Sequence, residues 1–173
     1  MKPGKMAGLT IGVVTDVKDT EKLGRVRVRY PWLDEDLKSD WISMVSPFAG
    51  NDRGVYWMPE IDDEVVVGFL HGDFDQAVVL GAMWNAPNPS PSLDPRERML
   101  RSKNGHSIRF VDSTVVAGNK GALIIQDAHD SMISMTNGFV TISVKGTLIL
   151  EANAIQLRGK GWKRTLTPNS NAM

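Results

Sequence analysis

Cysteine is absent from the 173 residues, which excludes a disulfide framework and any thiolate metal site. An excess of one charge is lacking too. Twenty Lys+Arg balance twenty Asp+Glu, so nothing drives the whole chain toward nucleic acid or an anionic membrane. No apolar run approaches the roughly 18 residues that span a bilayer. The opening stretch, MKPGKMAG, is charged but has no apolar core, so it is not read as a signal peptide, and synthesis in the cytoplasm is expected. Long stripes of helical period are also missing. With 16 glycines, 9 prolines and many β-branched residues, the chain reads as all-β.

After a short arm (residues 1–10), residues 11–17 and 25–30 read as a hairpin closed by a turn that ends at Gly24. In the second strand Val26, Val28 and Tyr30 alternate with Arg25, Arg27 and Arg29, the pattern of a half-buried strand. An acidic loop, 34–40, leads to strands at 41–45, 55–58, 64–70 and 76–84. Residues 64–70 are apolar on both faces and therefore central. So many short strands between turn signals point to a small closed barrel over 11–85. Residues 85–95 hold four prolines, which excludes a helix or a central strand. Residues 86–105 read as a stiff linker and charged collar.

From 106 to 158 the text becomes a succession of very short alternating strands. The inward position recurs at Ile125, Ile133, Val140, Leu148 and Ile155, a step of seven or eight residues, which suits strands that turn back or wind at each step. The expected inward row is Ile125, Ile133, Val140, Ile142, Leu148, Leu150, Ile155 and Leu157. Asn137-Gly138 and Lys145-Gly146 mark reversals, with Gly138 and Gly146 as corner residues of positive φ. A single ribbon of this kind leaves its apolar row and edge amides in water, so it is expected to fold with other copies around a shared core. The tail, 159–173, loses the alternation and reads as irregular.

The barrel half also resembles a known family. The run GVVTDVKDTEKLGRVRVRYPW at 12–32, SDW at 39–41 and SPFAG at 46–50 carry the likeness. So do GVYWMPE at 54–60, DEVVVGFLHGD at 63–73 and VLGAMWN at 79–85. Together these resemble the OB-fold domain of phage baseplate assembly protein V and VgrG spike proteins. The resemblance implies an N-terminal OB-fold barrel followed by a C-terminal intertwined trimeric β-helix, the needle of a contractile injection machine. It further implies a homotrimer at the baseplate end of a virion tail or injection particle, in transient contact with the target envelope. Some family members insert a lysozyme domain between barrel and needle, and the short 86–105 segment leaves no room for one. Others carry a fused hub; this chain starts almost at the barrel, so a separate hub protein is expected.

Against that reading stand several candidate sites. His71, His106 and His129 are far apart and each lies in a turn or at a strand start. Some phage needles hold iron through a His-x-His pair, which this sequence lacks, so solvated turn histidines and no metal are expected. The carboxylates of 34–40 and Asp62-Asp63-Glu64 read as polar turns, because paired catalytic carboxylates need a rigid, partly desolvated setting. No nucleophile-base pattern or phosphate loop occurs in its required context. No enzyme and no cofactor are expected. The rival from another class is an OB-fold single-stranded nucleic-acid-binding protein, using Arg25, Arg27 and Arg29 with nearby aromatics. The same arginines suit contacts to a neighbouring subunit's acidic loop or another partner, which is preferred, so no nucleic acid is expected. Trp41, Trp57 and Trp84 are expected to fill the barrel. Trp162, beside Lys160, Lys163 and Arg164, falls outside the pattern; it suits docking of a PAAR-like tip protein, with a disordered end as the alternative.

Overall fold

A computed structural model describes residues 5, 6, 8–113 and 118–166. Two compact units divide the chain, Met1–Ser90 and Pro91–Met173. The first contains β1 (Leu9–Asp16), β2 (Arg25–Tyr30), β3 (Asp34–Lys38), β4 (Ile42–Met44), β5 (Ala49–Gly50), β6 (Arg53–Gly54), β7 (Glu64–Phe69) and β8 (Ala77–Ala82). Two 3₁₀ turns, Leu70–Gly72 and Phe74–Gln76, separate β7 from β8. The arm expected over 1–10 gives way to β1 at Leu9; residues 1–4 and 7 of it lie outside the described residues.

Five strands close a barrel in the order β1-β7-β8-β4-β2 and back to β1. Its neighbours are antiparallel except β4 and β8, which run parallel. This is the OB fold. Alternation fills the inside: Val26, Val28 and Tyr30 of β2 are buried, while Arg25, Arg27 and Arg29 are only half-buried. Val14, Val65, Val67 and Val79 complete a fully buried core, each contributing on the order of 2 kcal/mol by burial. A side chain at Gly12 would come within 3.2 Å of Val28 and Val67, so glycine lets β1 pass close to the core. At one end of the core Tyr30, Phe69 and Phe74 cluster, with ring centroids 5.3–6.2 Å apart.

Three expectations for this unit need correction. Valines, not tryptophans, make up most of the core. Trp57 and Trp84 are exposed and lie outside any strand, and Trp41 lies on the side of the barrel beneath Arg27, 4.9 Å from ring centroid to guanidinium. Five strands enclose a space that β-branched side chains already fill. The acidic loop is partly a strand: β3 pairs with β2 at Arg29 and Tyr30. It takes over that edge because β4 reaches only Arg25 and Val26, leaving backbone groups that need partners. Residues 55–58 form no strand. They follow the two-residue ladder of β5 and β6, whose base Ser46 ties through its hydroxyl to the carbonyls of Phe48 and Val55.

One carboxylate organises the β1–β2 turn. Asp19 accepts from the backbone N–H of Glu21 and Leu23, and from Arg25 Nε at 3.0 Å and Nη2 at 2.7 Å. Its side chain is only 5% exposed. The Arg25 fork, reinforced by the turn amides, holds its pKa far below the usual carboxylate range. A depressed carboxylate stabilises the fold above the unfolded-chain pKa of about 4, and that contribution is lost as pH falls below it. Asp19→Asn is therefore expected to lower the urea midpoint at pH 7 and to flatten its fall between about pH 4 and pH 2. An unchanged acid slope would show that the turn does not depend on this ion pair.

The second unit is an antiparallel meander of β9 (Glu97–Arg101), β10 (Ser107–Val111), β11 (Ala122–Gln126), β12 (Met132–Thr136) and β13 (Phe139–Ser143), in that order. A separate hairpin joins β14 (Ile155–Gly159) to β15 (Trp162–Leu166). Residues read as a charged collar thus supply β9, since Arg98 and Leu100 alternate with Glu97, Met99 and Arg101. Part of the tail read as irregular is strand, because Lys160-Gly161, with Gly161 at φ 80°, folds β15 back on β14. Residues 167–173 of that tail lie outside the described residues. Residues 148–150, expected as a strand, join no ladder. Asn137 and Gly138 take φ of 47° and 86°, the mirror-image turn that suits a two-residue hairpin. Gly146 sits in a bend without positive φ, so the left-handed corner expected there does not form. Among the described residues no helix is long and apolar enough to cross a membrane.

Candidate functional site

The feature of the second unit that calls for a function is one face of its five-stranded sheet. Strand register aligns Leu100, Ile108, Ile125, Ile133 and Ile142 in a single cross-strand row. Two residues along, Arg98, Phe110, Leu123, Met135 and Val140 form the next row on the same face. Nine of these ten side chains are apolar, and most are exposed, from Ile133 at 39% to Val140 at 68%. A continuous patch of this kind is larger than a soluble surface ordinarily leaves open. Hydrophobic burial is the interaction it offers.

The opposite face is more polar, although Phe139 stands exposed on it. Arg109 Nη1 lies 3.6 Å from Glu97 Oε1, and Arg109 Nη2 donates to Gln126 Oε1 at 2.9 Å. At the β11–β12 turn the Asp127 carboxylate accepts from the backbone N–H of His129 and Ser131, which pulls its pKa down. His106 Nδ1 accepts from the Ala128 N–H at 3.2 Å. His106 and His129 thus belong to turn architecture, and His71 sits in a 3₁₀ turn at φ 54°. Among the described residues no group of three or more His, Asp or Glu is placed to hold a metal ion.

Of the expected inward residues, Ile125, Ile133 and Ile142 share the first row and Val140 sits in the second. Ile155 and Leu157 share one face of the separate hairpin. Leu148 and Leu150 are exposed and outside any ladder. The sequence reading missed Leu100, Ile108, Phe110, Leu123 and Met135. The alternation Ile108-Arg109-Phe110 was a usable signal for β10; the surrounding cations hid β9.

The arginine stripe of β2 is largely engaged within its own unit. Arg25 is held by Asp19 and by Glu21 at 3.1 Å, and Arg27 covers Trp41. That leaves little of the free cationic surface a single-strand groove requires. A cleft of about 600 Å³ lies between the 22–24 turn and the 44–58 segment. Phe48, Tyr56 and Trp57 stand exposed at its walls, with Lys22, Asp52 and Arg53 also lining it.

Comparison with known proteins agrees with the barrel fold. Residues 10–84, the barrel, match the type VI secretion system/phage-baseplate injector OB domain. The barrel is similar to that domain, and over part of its length the chain resembles VgrG-type spike proteins. It is 32% identical over 123 residues to the type VI secretion system spike protein VgrG2a of Pseudomonas aeruginosa, covering 64% of this chain and 15% of that protein. With spike protein VgrG4b of the same organism it shares 35% identity over 92 residues, 51% of this chain and 11% of that protein. With spike protein VgrG3 of Vibrio cholerae it shares 30% identity over 96 residues, 53% of this chain and 9% of that protein. The chain thus spans a small fraction of the length of these relatives.

Proposed function

We propose that this protein is a structural spike component of a contractile phage tail or phage-tail-like injection system, with three copies joined through the apolar face of β9–β13. The observation that carries the reading is that face: nine apolar residues in two registered rows, eight of them exposed in the single chain. Three sheets facing one axis bury all three such faces at once and yield a narrow prism. Open edges at β9 and β13 then meet edges of neighbouring chains, which removes free strand edges and stiffens the shaft. Ile155 and Leu157 of the hairpin, with Leu148 and Leu150 of the intervening segment, extend the shared core as an intertwined β-helix. The OB barrel serves as the mount on a hub at the baseplate. The role is mechanical rather than enzymatic: the spike would nucleate baseplate assembly and be driven into the target envelope when the sheath contracts.

Size-exclusion chromatography with light scattering tests the assembly directly. The expected result is an elongated homotrimer that persists on dilution. A compact monomer at micromolar concentration removes the proposal.

A further inference from the structure

We infer that the cleft between the 22–24 turn and the 44–58 segment is the binding site for the proline-rich segment 89–95 of a second copy of this chain. The segment is shaped in advance. Prolines at 87, 89, 91 and 95 fix their own φ and hold Asn88, Ser90 and Asp94 before them extended. Pro89, Pro91, Leu93 and Pro95 are exposed, while Ser90, Ser92 and Asp94 between them are half-buried. One edge of the segment is therefore apolar and uncovered, and Leu93 on that edge is 95% exposed. Proline-rich backbone of this kind loses little entropy on docking and seats against aromatic walls.

The cleft supplies those walls in Phe48, Tyr56 and Trp57. Its backbone is also unfinished. Val55, Tyr56 and Trp57 are residues that favour a strand, yet Tyr56, Trp57 and Met58 make no main-chain hydrogen bond among the described residues. Their N–H groups suit the carbonyls of the segment, whose prolines bring no N–H of their own to satisfy. Charge fits as well. Lys22 and Arg53 line the cleft against one carboxylate, Asp52, and form no ion pair among the described residues. Asp94 is the only charge in the segment; bound by Arg96, it is still 35% exposed, so its oxygens have lone pairs left for either cation. Segment and cleft are different surfaces, so the contact runs head to tail, and three such contacts close a ring. The contact rests on the three-copy spike but uses none of the β9–β13 face.

Because the chain has no cysteine, thiol cross-linking of the full chain tests the contact cleanly. Val55→Cys in the cleft and Pro95→Cys at the end of the segment are combined in one chain and treated with a short bismaleimide, with light scattering on the same samples. A covalent trimer on denaturing gels is expected, since each chain is joined to the next around the ring. Co-expressed chains carrying one substitution each should give covalent dimers, and neither single variant alone should. The control pairs Pro95→Cys with Asp75→Cys, beside Phe74 at the other end of β2 from the 22–24 turn, and should stay unlinked. Adding Trp57→Ala or Leu93→Asp to the first pair should slow linking about ten-fold, the effect of removing one anchoring contact. An internally linked monomer would place the segment in its own chain's cleft and overturn the inference. So would equal reaction of the control pair, or an unchanged rate in both anchor variants. A trimer by light scattering that does not cross-link overturns this inference alone, whereas an unlinked monomer removes the spike reading with it.

Discussion

Val140→Asp is expected to convert the proposed trimer to monomers while leaving the barrel folded. Val140 lies on β13 in the second apolar row and is the most exposed of that row's apolar members. In a three-fold assembly the substitution buries three carboxylates of like sign around one axis. Each costs several kcal/mol after relaxation, on the order of 10 kcal/mol for the trimer. That exceeds what loss of the valine contacts alone would cost. The control is the next residue. Thr141 faces the other way, in a row with Arg109, Ile124 and Ser134, so Thr141→Asp should leave the trimer intact. Side chains alternate with a period of two, so the pair tests register as well as burial. Light scattering and the urea midpoint of the barrel report the two outcomes. Equal behaviour of the variants, whichever it is, would mean that the apolar face is not the shared surface.

Much of this arrangement was legible in the residues. The alternation of Arg and Val in β2 places three interior side chains, and the run Glu64–Phe69 marks itself as a central strand because neither face is polar. The isoleucines at 125, 133 and 142 are spaced so that short hairpins bring them into one row. What was not legible depends on long-range pairing. Asp34–Lys38 becomes a strand only because the edge of β2 is left uncovered there, a circumstance no local pattern encodes. The cations of β9 conceal a strand whose partner, β10, starts only six residues after it ends. Tryptophans were assigned inside because they are large and apolar, yet the interior of a five-strand barrel is too narrow for them once valines have filled it. The engagement of Arg25 was equally hidden, since Asp19 is six residues away and reaches it only through the turn it organises itself.

Tyr30 offers the second large effect, and its two substitutions should move stability in different directions. The side chain is 1% exposed and touches Phe69 and Phe74 at centroid distances of 6.2 and 5.3 Å. Tyr30→Ala empties that end of the core, which should cost about 3–5 kcal/mol. Against a typical domain stability of about 5–15 kcal/mol, this brings the barrel close to unfolding at ordinary temperature. The hydroxyl tells a different story, because it is buried without a hydrogen-bond partner. An unsatisfied buried hydroxyl carries a desolvation penalty that phenylalanine does not. Tyr30→Phe should therefore be neutral or stabilising, by up to about 1 kcal/mol in urea unfolding. Burial also raises the Tyr30 pKa. A raised phenol favours the fold below its unfolded-chain pKa, and stability falls as pH climbs past about 10, where the unfolded chain releases its proton first. The phenylalanine variant lacks that proton, so its alkaline unfolding should begin at higher pH. A clear loss of stability in Tyr30→Phe at pH 7 would place a bound water on the hydroxyl and make the aromatic end of the barrel a polar site rather than a packed one.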